Sequence, residues 1–193
     1  MPTAEKSLLL TQEEYEALYR EWFETSTGYQ QKDYYYDTDE LSMNAQSVIC
    51  RIRERNRVHI ATRLKAAGEG QPESRAIITK GISDWFPLSQ QPLSLKGCLT
   101  TQRRAWYAPE STTVFLDKNH YMDVTDYEVT IAYPQGQEDS AHAGIQNIAQ
   151  RLYRYGLIDS MEGWAARVSH APSKSQRFFD RWKQLHTAQE EIP

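Results

Sequence analysis

Apolar and polar positions alternate with a period of two along residues 48–65, and this stretch organises the reading of the chain. Val48, Cys50 and Ile52 fall on one side of an extended segment and Arg51, Arg53 and Arg55 on the other, because successive strand side chains point to opposite faces. After a polar break at Asn56 the alternation resumes, with Val58, Ile60, Thr62 and Leu64 opposed to Arg57, His59, Ala61, Arg63 and Lys65. The pattern predicts a hairpin with one cationic face. Glu54 is the only acid between Arg51 and Lys65. A solvated hairpin ordinarily mixes both signs, since like charges directly across strands repel. Such a face calls for a polyanion or facing carboxylates; the bland alternative is an edge whose charge repels other strands.

The same periodicity predicts strands over 5–10, 28–36, 74–80, 99–107, 112–119 and 122–132. In the last of these Tyr127, Val129 and Ile131 take the core side, which leaves Glu128, Thr130 and Ala132 on the other. Helical spacing appears where Thr11 to Glu14 forms a capping box and Tyr15, Leu18, Tyr19, Trp22 and Phe23 make an apolar stripe. Residues 37–46 read as a polar connection with a helical turn, and 66–73, with two glycines and a proline, as a loop. The pattern over 81–96 is short and helical or irregular, anchored by Trp85 and Phe86. Beyond a linker at 134–139, residues 141–155 predict an amphipathic helix ended by Gly156, with Ile145, Ile148, Ala149 and Leu152 on one side. A short helical region follows at 159–168, and a last helix opens at Ser173. In it Lys174 and Arg177, three apart, share a face.

Composition narrows the classes. A chain of 193 residues suits one domain and is short for two. Hydrophobic residues make up 39% and mean hydropathy is -0.73, which is lean for a globular core. A net charge of -4 and a pI near 5.8 argue against a duplex-DNA or membrane-surface binder, so any anion binding is local. Cys50 and Cys98 have no metal or redox spacing, and the five histidines have no ligand spacing. The apolar run near the amino terminus is too short for a signal peptide and no stretch approaches a membrane span, which predicts a cytoplasmic protein.

Several blocks resemble one family. Asp33-Tyr34-Tyr35-Tyr36-Asp37-Thr38, Arg51-Ile52-Arg53 and Arg63-Leu64-Lys65 are similar to the Y-F-D-T, L-R-I-R and T-L-K blocks of the CYTH domain, also called the triphosphate tunnel metalloenzymes. Arg103 matches a T-x-R block, Leu116-Asp117 an L-D pair, and Ser173 to Phe178 an S-K-x-x-R-F block. Residues 126–130 stand where the family shows D-Y-E-x-E, with Thr130 in place of the last acid. The family's first-strand E-x-E-x-K falls on Thr3, Glu5 and Ser7, of which only Glu5 matches.

The resemblance implies a single α+β domain over 1–193. In it an antiparallel closed barrel of about eight strands, roughly 1–133, forms a charged tunnel, and helices, mainly 134–193, pack outside. It implies a phosphate clamp of Arg51, Arg53, Lys65 and Arg103, closed by Lys174 and Arg177, because arginine forks match phosphate oxygens in pairs. Glu5 and Glu128 are the implied ligands for Mg²⁺ or Mn²⁺. The family includes thiamine, inorganic and RNA 5′-triphosphatases and class IV adenylyl cyclases. The expected function is therefore binding of inorganic, nucleoside or thiamine triphosphate, with metal-assisted hydrolysis. Because the acidic motifs are incomplete, a non-catalytic binder or sensor of nucleotides, polyphosphate or RNA 5′ ends stays open. Nothing in the sequence marks an adenine pocket for a cyclase.

Overall fold

The computed structural model describes residues 3–65, 73–79, 81–107 and 112–190. Its strands are β1 (Thr3–Leu10), β2 (Gly28–Asp37), β3 (Val48–Arg55), β4 (Val58–Lys65), β5 (Ser74–Ile78), β6 (Ser94–Tyr107), β7 (Thr113–Tyr121) and β8 (Val124–Pro134). The helices are α1 (Gln12–Leu18), α2 (Ser42–Ala45), α3 (Glu138–Arg154), α4 (Met161–Ala166) and α5 (Lys174–Glu190). The strands form one antiparallel sheet in the order β1-β8-β7-β6-β2-β3-β4-β5. The α+β expectation is met. Hydrogen bonds do not join β1 to β5 among the described residues, so the expected closure into a barrel is not confirmed. Most of the expected 66–73 loop, and Lys80 at the end of the expected fifth strand, lie outside the described residues. No helix among the described residues is long and apolar enough to cross a membrane.

The chain divides into two compact units. The first comprises Met1–Tyr29, Thr101–Asn119 and Thr125–Ala171. Its core gathers Leu8 and Leu10 of β1, Val129 and Ile131 of β8, Leu18 of α1, Phe23, and Ile145, Ile148 and Leu152 of α3. Helix α1 starts where the sequence predicts. The Thr11 hydroxyl accepts from the Glu14 N–H at 3.2 Å and the Glu14 carboxylate accepts from the Thr11 N–H at 2.7 Å. Past Leu18 the helix continues as a π turn over Tyr19–Phe23, which sends Phe23 fully into the core. The buried Glu14 also accepts from Trp164 Nε1 at 3.1 Å and Arg167 Nη1 at 2.8 Å, tying α4 and the turn after it to the start of α1. Helix α3 begins three residues before the predicted 141, because Glu138 and Asp139 occupy its first turn, where the helix dipole favours acids.

The second unit comprises Gln30–Thr100, His120–Val124 and Pro172–Pro193. Two apolar clusters build it. One holds Tyr36, Val48, Cys50, Ile52 and Ala61 under Phe86 and Leu93, so Phe86 is the core anchor expected for 81–96 while Trp85 is exposed. The other holds Tyr35, Leu41, Ile49, Leu99 and Tyr121 under Phe178 and Phe179 of α5. Helix α5 is therefore core. The Tyr35 and Phe178 rings lie 4.7 Å apart, Arg181 pairs with Asp123, and Lys183 donates to Asn44 Oδ1 at 2.9 Å.

Two expectations concern this helix. Each buried phenylalanine stabilises by about 1.5–3 kcal/mol, so deletion from Ser173 onward should abolish the cooperative unfolding transition of the second unit. Gly97 has φ +149, and a Cβ there would lie 3.0 Å from the Phe178 ring. Gly97→Ala should therefore lower the urea midpoint by an amount worth about 1–3 kcal/mol at unchanged slope. A variant as stable as the parent would show that α5 does not need this close approach.

Candidate functional site

The β3–β4 turn decides which cations meet. Asn56 and Arg57 both have positive φ, 51° and 63°, and Arg55 pairs with Val58, which makes the two-residue connection that tight hairpins favour. With a two-residue loop, odd positions of β3 face even positions of β4. Arg51 lies opposite Thr62 and Arg53 opposite Ile60, whereas Lys65 lies opposite Val48 and Arg63 opposite Cys50. Directly paired residues share a sheet face. Lys65 and Arg63 are therefore on the Val48–Cys50–Ile52 side, and the expected single cationic face splits in two. Placing Lys65 in a clamp with Arg51 and Arg53 is corrected by this register.

The arginine face extends across the sheet. Tyr35 of β2 pairs with Arg51 and Asp33 with Arg53; beyond β4, Thr62 pairs with Arg75 of β5 and Ile60 with Ile77. One row thus reads Tyr35, Arg51, Thr62, Arg75, and the next Asp33, Arg53, Ile60, Ile77. Arg75, exposed on β5, was missed in the sequence. Two strand spacings of about 4.8 Å put it within about 10 Å of Arg51. Its signal was the parity of a two-residue turn, available only once that turn is known.

The centre of this face is a buried carboxylate. Asp33 is 1% exposed and takes Arg53 Nε and Nη2 on its two oxygens, both at 2.7 Å. Arg51 Nη1 stands 3.9 Å from the same carboxylate. Burial alone would raise the Asp33 pKa. The Arg53 hydrogen bonds and the charges of Arg51, Arg53 and Lys174 outweigh it and hold the carboxyl below its ordinary range. Lys174 is carried there by α5, since Phe178, four residues later on the same helix face, packs on Tyr35. Arg177 Nη1 donates to the Pro172 carbonyl at 2.6 Å, bracing the start of the helix. The Tyr35 hydroxyl and Arg51 Nε are buried with no hydrogen-bond partner, a state that costs about 1–3 kcal/mol per group unless something polar arrives. Three cations thus face one carboxylate, with two unsatisfied polar atoms among them.

The first unit repeats the arginine–carboxylate fork and alters the acidic motif. Arg103 Nε and Nη2 bond Asp117 at 2.7 and 2.6 Å. Burial would lower the Arg103 pKa, but the bonds and charge of the fully buried Asp117 hold it above the usual arginine value. In the β1–β8 ladder Glu5 lies opposite Ala132, Ser7 opposite Thr130 and Leu9 opposite Glu128. Glu128 and Thr130 do point away from the core, as the alternation predicts. Glu5 and Glu128, however, are four register positions apart, about 13 Å along the strands. Strand side chains stand roughly perpendicular to the sheet. Mg²⁺ or Mn²⁺ holds its oxygens at about 2.0–2.2 Å, so the two expected ligands do not converge on one ion. Between them the Ser7 and Thr130 hydroxyls meet at 2.8 Å, and Thr130 donates to Glu128 Oε1 at 3.2 Å. Among the described residues no three His, Cys, Asp or Glu side chains form a metal-binding group. The residues present do not fit the ion that the family resemblance implies.

The family model described as the CYTH domain matches residues 1–157. Among solved structures, a candidate adenylate cyclase from Bacillus halodurans superposes with a TM-score of 0.66 at 22% identity, covering 93% of this chain and 100% of that one. A candidate adenylyl cyclase from Hippeastrum, described as revealing a dominant triphosphatase activity, gives 0.60 at 14% identity, covering 84% and 99%. Both likenesses establish the fold. No curated protein matches the sequence.

The pH dependence of stability tests the Asp33 centre. Its folded pKa lies below the unfolded one, so the ion cluster contributes in full above the unfolded value of about 3.9 and is lost as pH falls through the lower folded value. Urea unfolding of the parent should therefore weaken progressively below about pH 4. Asp33→Asn should lose that component and should cost about 3–5 kcal/mol at neutral pH, where it leaves the cations without their carboxylate. Identical stability curves for the two proteins would remove Asp33 from the centre of the account.

Proposed function

This chain belongs to the CYTH domain family, and on that footing we propose that it binds triphosphate-bearing compounds on the Arg51–Arg53–Lys174 face. The observation that carries this is the buried, unpartnered pair of Arg51 Nε and Tyr35 hydroxyl, set beside Arg53 and within reach of the Lys174 charge. Tyr35 and Arg51 are cross-strand partners, so a phosphate oxygen admitted beside them would have both donors within one neighbourhood. Asp33 keeps Arg53 in a fixed orientation through its paired bonds, so the guanidinium is positioned before the ligand arrives. Arg75, on the same face across Thr62, supplies a further charge along an extended anion. Inorganic, nucleoside and thiamine triphosphates share the chain of phosphates that this face reads.

Hydrolysis is the second reading. It is supported by the family and by the triphosphatase activity ascribed to the Hippeastrum neighbour. For it Arg51, Arg53 and Lys174 would hold the phosphates and offset negative charge as the bridging bond breaks. Phosphate release measured across inorganic and nucleoside triphosphates separates a turning-over enzyme from a binder.

The register makes the binding prediction specific. Arg51→Ala should weaken tripolyphosphate at least about tenfold, about 1.4 kcal/mol, since each charge-assisted hydrogen bond is worth about 1.5–3 kcal/mol. Arg75→Ala should weaken it by less, through lost charge alone, while Lys65→Ala on the opposite face should leave calorimetric affinity unchanged. Equal losses from Lys65→Ala and Arg51→Ala would contradict the assignment of faces.

A further inference from the structure

We infer that this chain binds its oligophosphate without a divalent cation, the guanidinium and ammonium charges doing the neutralising that an ion would otherwise do. The inference rests on the triphosphate reading above and concerns the acidic side chains, because a magnesium-like ion needs carboxylate oxygens that are open to it. Mg²⁺ asks for a near-octahedral oxygen shell and gives up water reluctantly, so a site usually provides one or two such carboxylates beside the phosphates.

In the first unit Asp117 has both oxygens engaged, and Asp126 and Glu128 at least one each. Asp117 gives both to Arg103. Asp126, on the same strand face as Glu128, accepts from Asn119 Nδ2 at 2.9 Å. Thr130 has one hydroxyl hydrogen and gives it to Glu128, so in the 2.8 Å contact Ser7 is the donor and Thr130 the acceptor. The hydroxyls thus run in one direction, Ser7 to Thr130 to Glu128, and end on the carboxylate. Glu5 stands four register positions from Glu128 and is exposed. In the second unit Asp33 gives both oxygens to Arg53, and Asp37 accepts from the backbone N–H groups of Thr38, Met43 and Asn44 at 2.8–2.9 Å.

The Ser7–Thr130 pair is the informative part. Where the family motifs would set a lysine opposite a carboxylate, an uncharged hydroxyl stands on each strand. Two opposed hydroxyls satisfy each other. This ladder is self-consistent with no ion in it, and an added ion at Glu128 Oε1 would compete with the Thr130 hydroxyl for that oxygen.

The test uses the full chain with tripolyphosphate as the probe. Affinity measured calorimetrically in the presence of a chelator should lie within about threefold, about 0.7 kcal/mol, of the best value found across a Mg²⁺ or Mn²⁺ titration. Equilibrium dialysis of the protein alone against Mn²⁺ should retain no stoichiometric ion. A loss of more than about tenfold on chelation, or retention of one Mn²⁺ per chain, would overturn the inference and leave the triphosphate reading standing. Absence of binding with and without metal would overturn both.

Discussion

A single carboxylate, Asp33, buried on the arginine face of β2, is the constraint from which the second unit's site follows. A lone buried carboxylate would be costly, and it is retained because Arg53 takes both its oxygens while Arg51 and Lys174 add charge nearby. The carboxylate in turn permits three cations to gather, since it offsets part of their mutual repulsion. It does not offset all of it. The residual positive charge and the unused donors of Arg51 and Tyr35 are what a phosphate chain would complete.

That arrangement depends on packing elsewhere in the unit. Lys174 reaches the face only because Phe178 and Phe179 seat α5 against Tyr35, Leu99 and Tyr121, and Phe178 seats only because Gly97 has no side chain. The carboxy-terminal helix is thus an anchored wall of the site. The first unit uses the same fork, Arg103 with Asp117, beside a β1–β8 ladder in which hydroxyl residues, Thr3, Ser7 and Thr130, stand at three of the positions where family members carry charge.

Much of this was legible in the sequence. The strands, the capping box at Thr11 and Glu14, the placement of Glu128 and Thr130 on the face opposite Val129 and Ile131, and the grouping of Arg51 with Arg53 all follow from periodicity, which is a local property. What failed was phase between elements. Alternation assigns the faces of each strand separately, and the length of the turn at Asn56 and Arg57 decides how they combine; two residues there separate Lys65 from Arg51 and bring in Arg75. Glu5 and Glu128 share a face of the β1–β8 ladder, and sharing a face says nothing of distance along it. Asp33 stands at the head of a block that the sequence singles out, but its role appears only from the arginine opposite.

The most direct measurement follows the Arg51 Nε–H itself. In a ¹⁵N-resolved NMR titration with tripolyphosphate, with arginine side-chain resonances assigned by substitution, the Arg51 Nε–H signal should shift strongly and its hydrogen exchange should slow as the phosphate takes up the unpartnered donor. An Arg51 signal that stays in place at saturation, while resonances of other arginines move, would contradict the account.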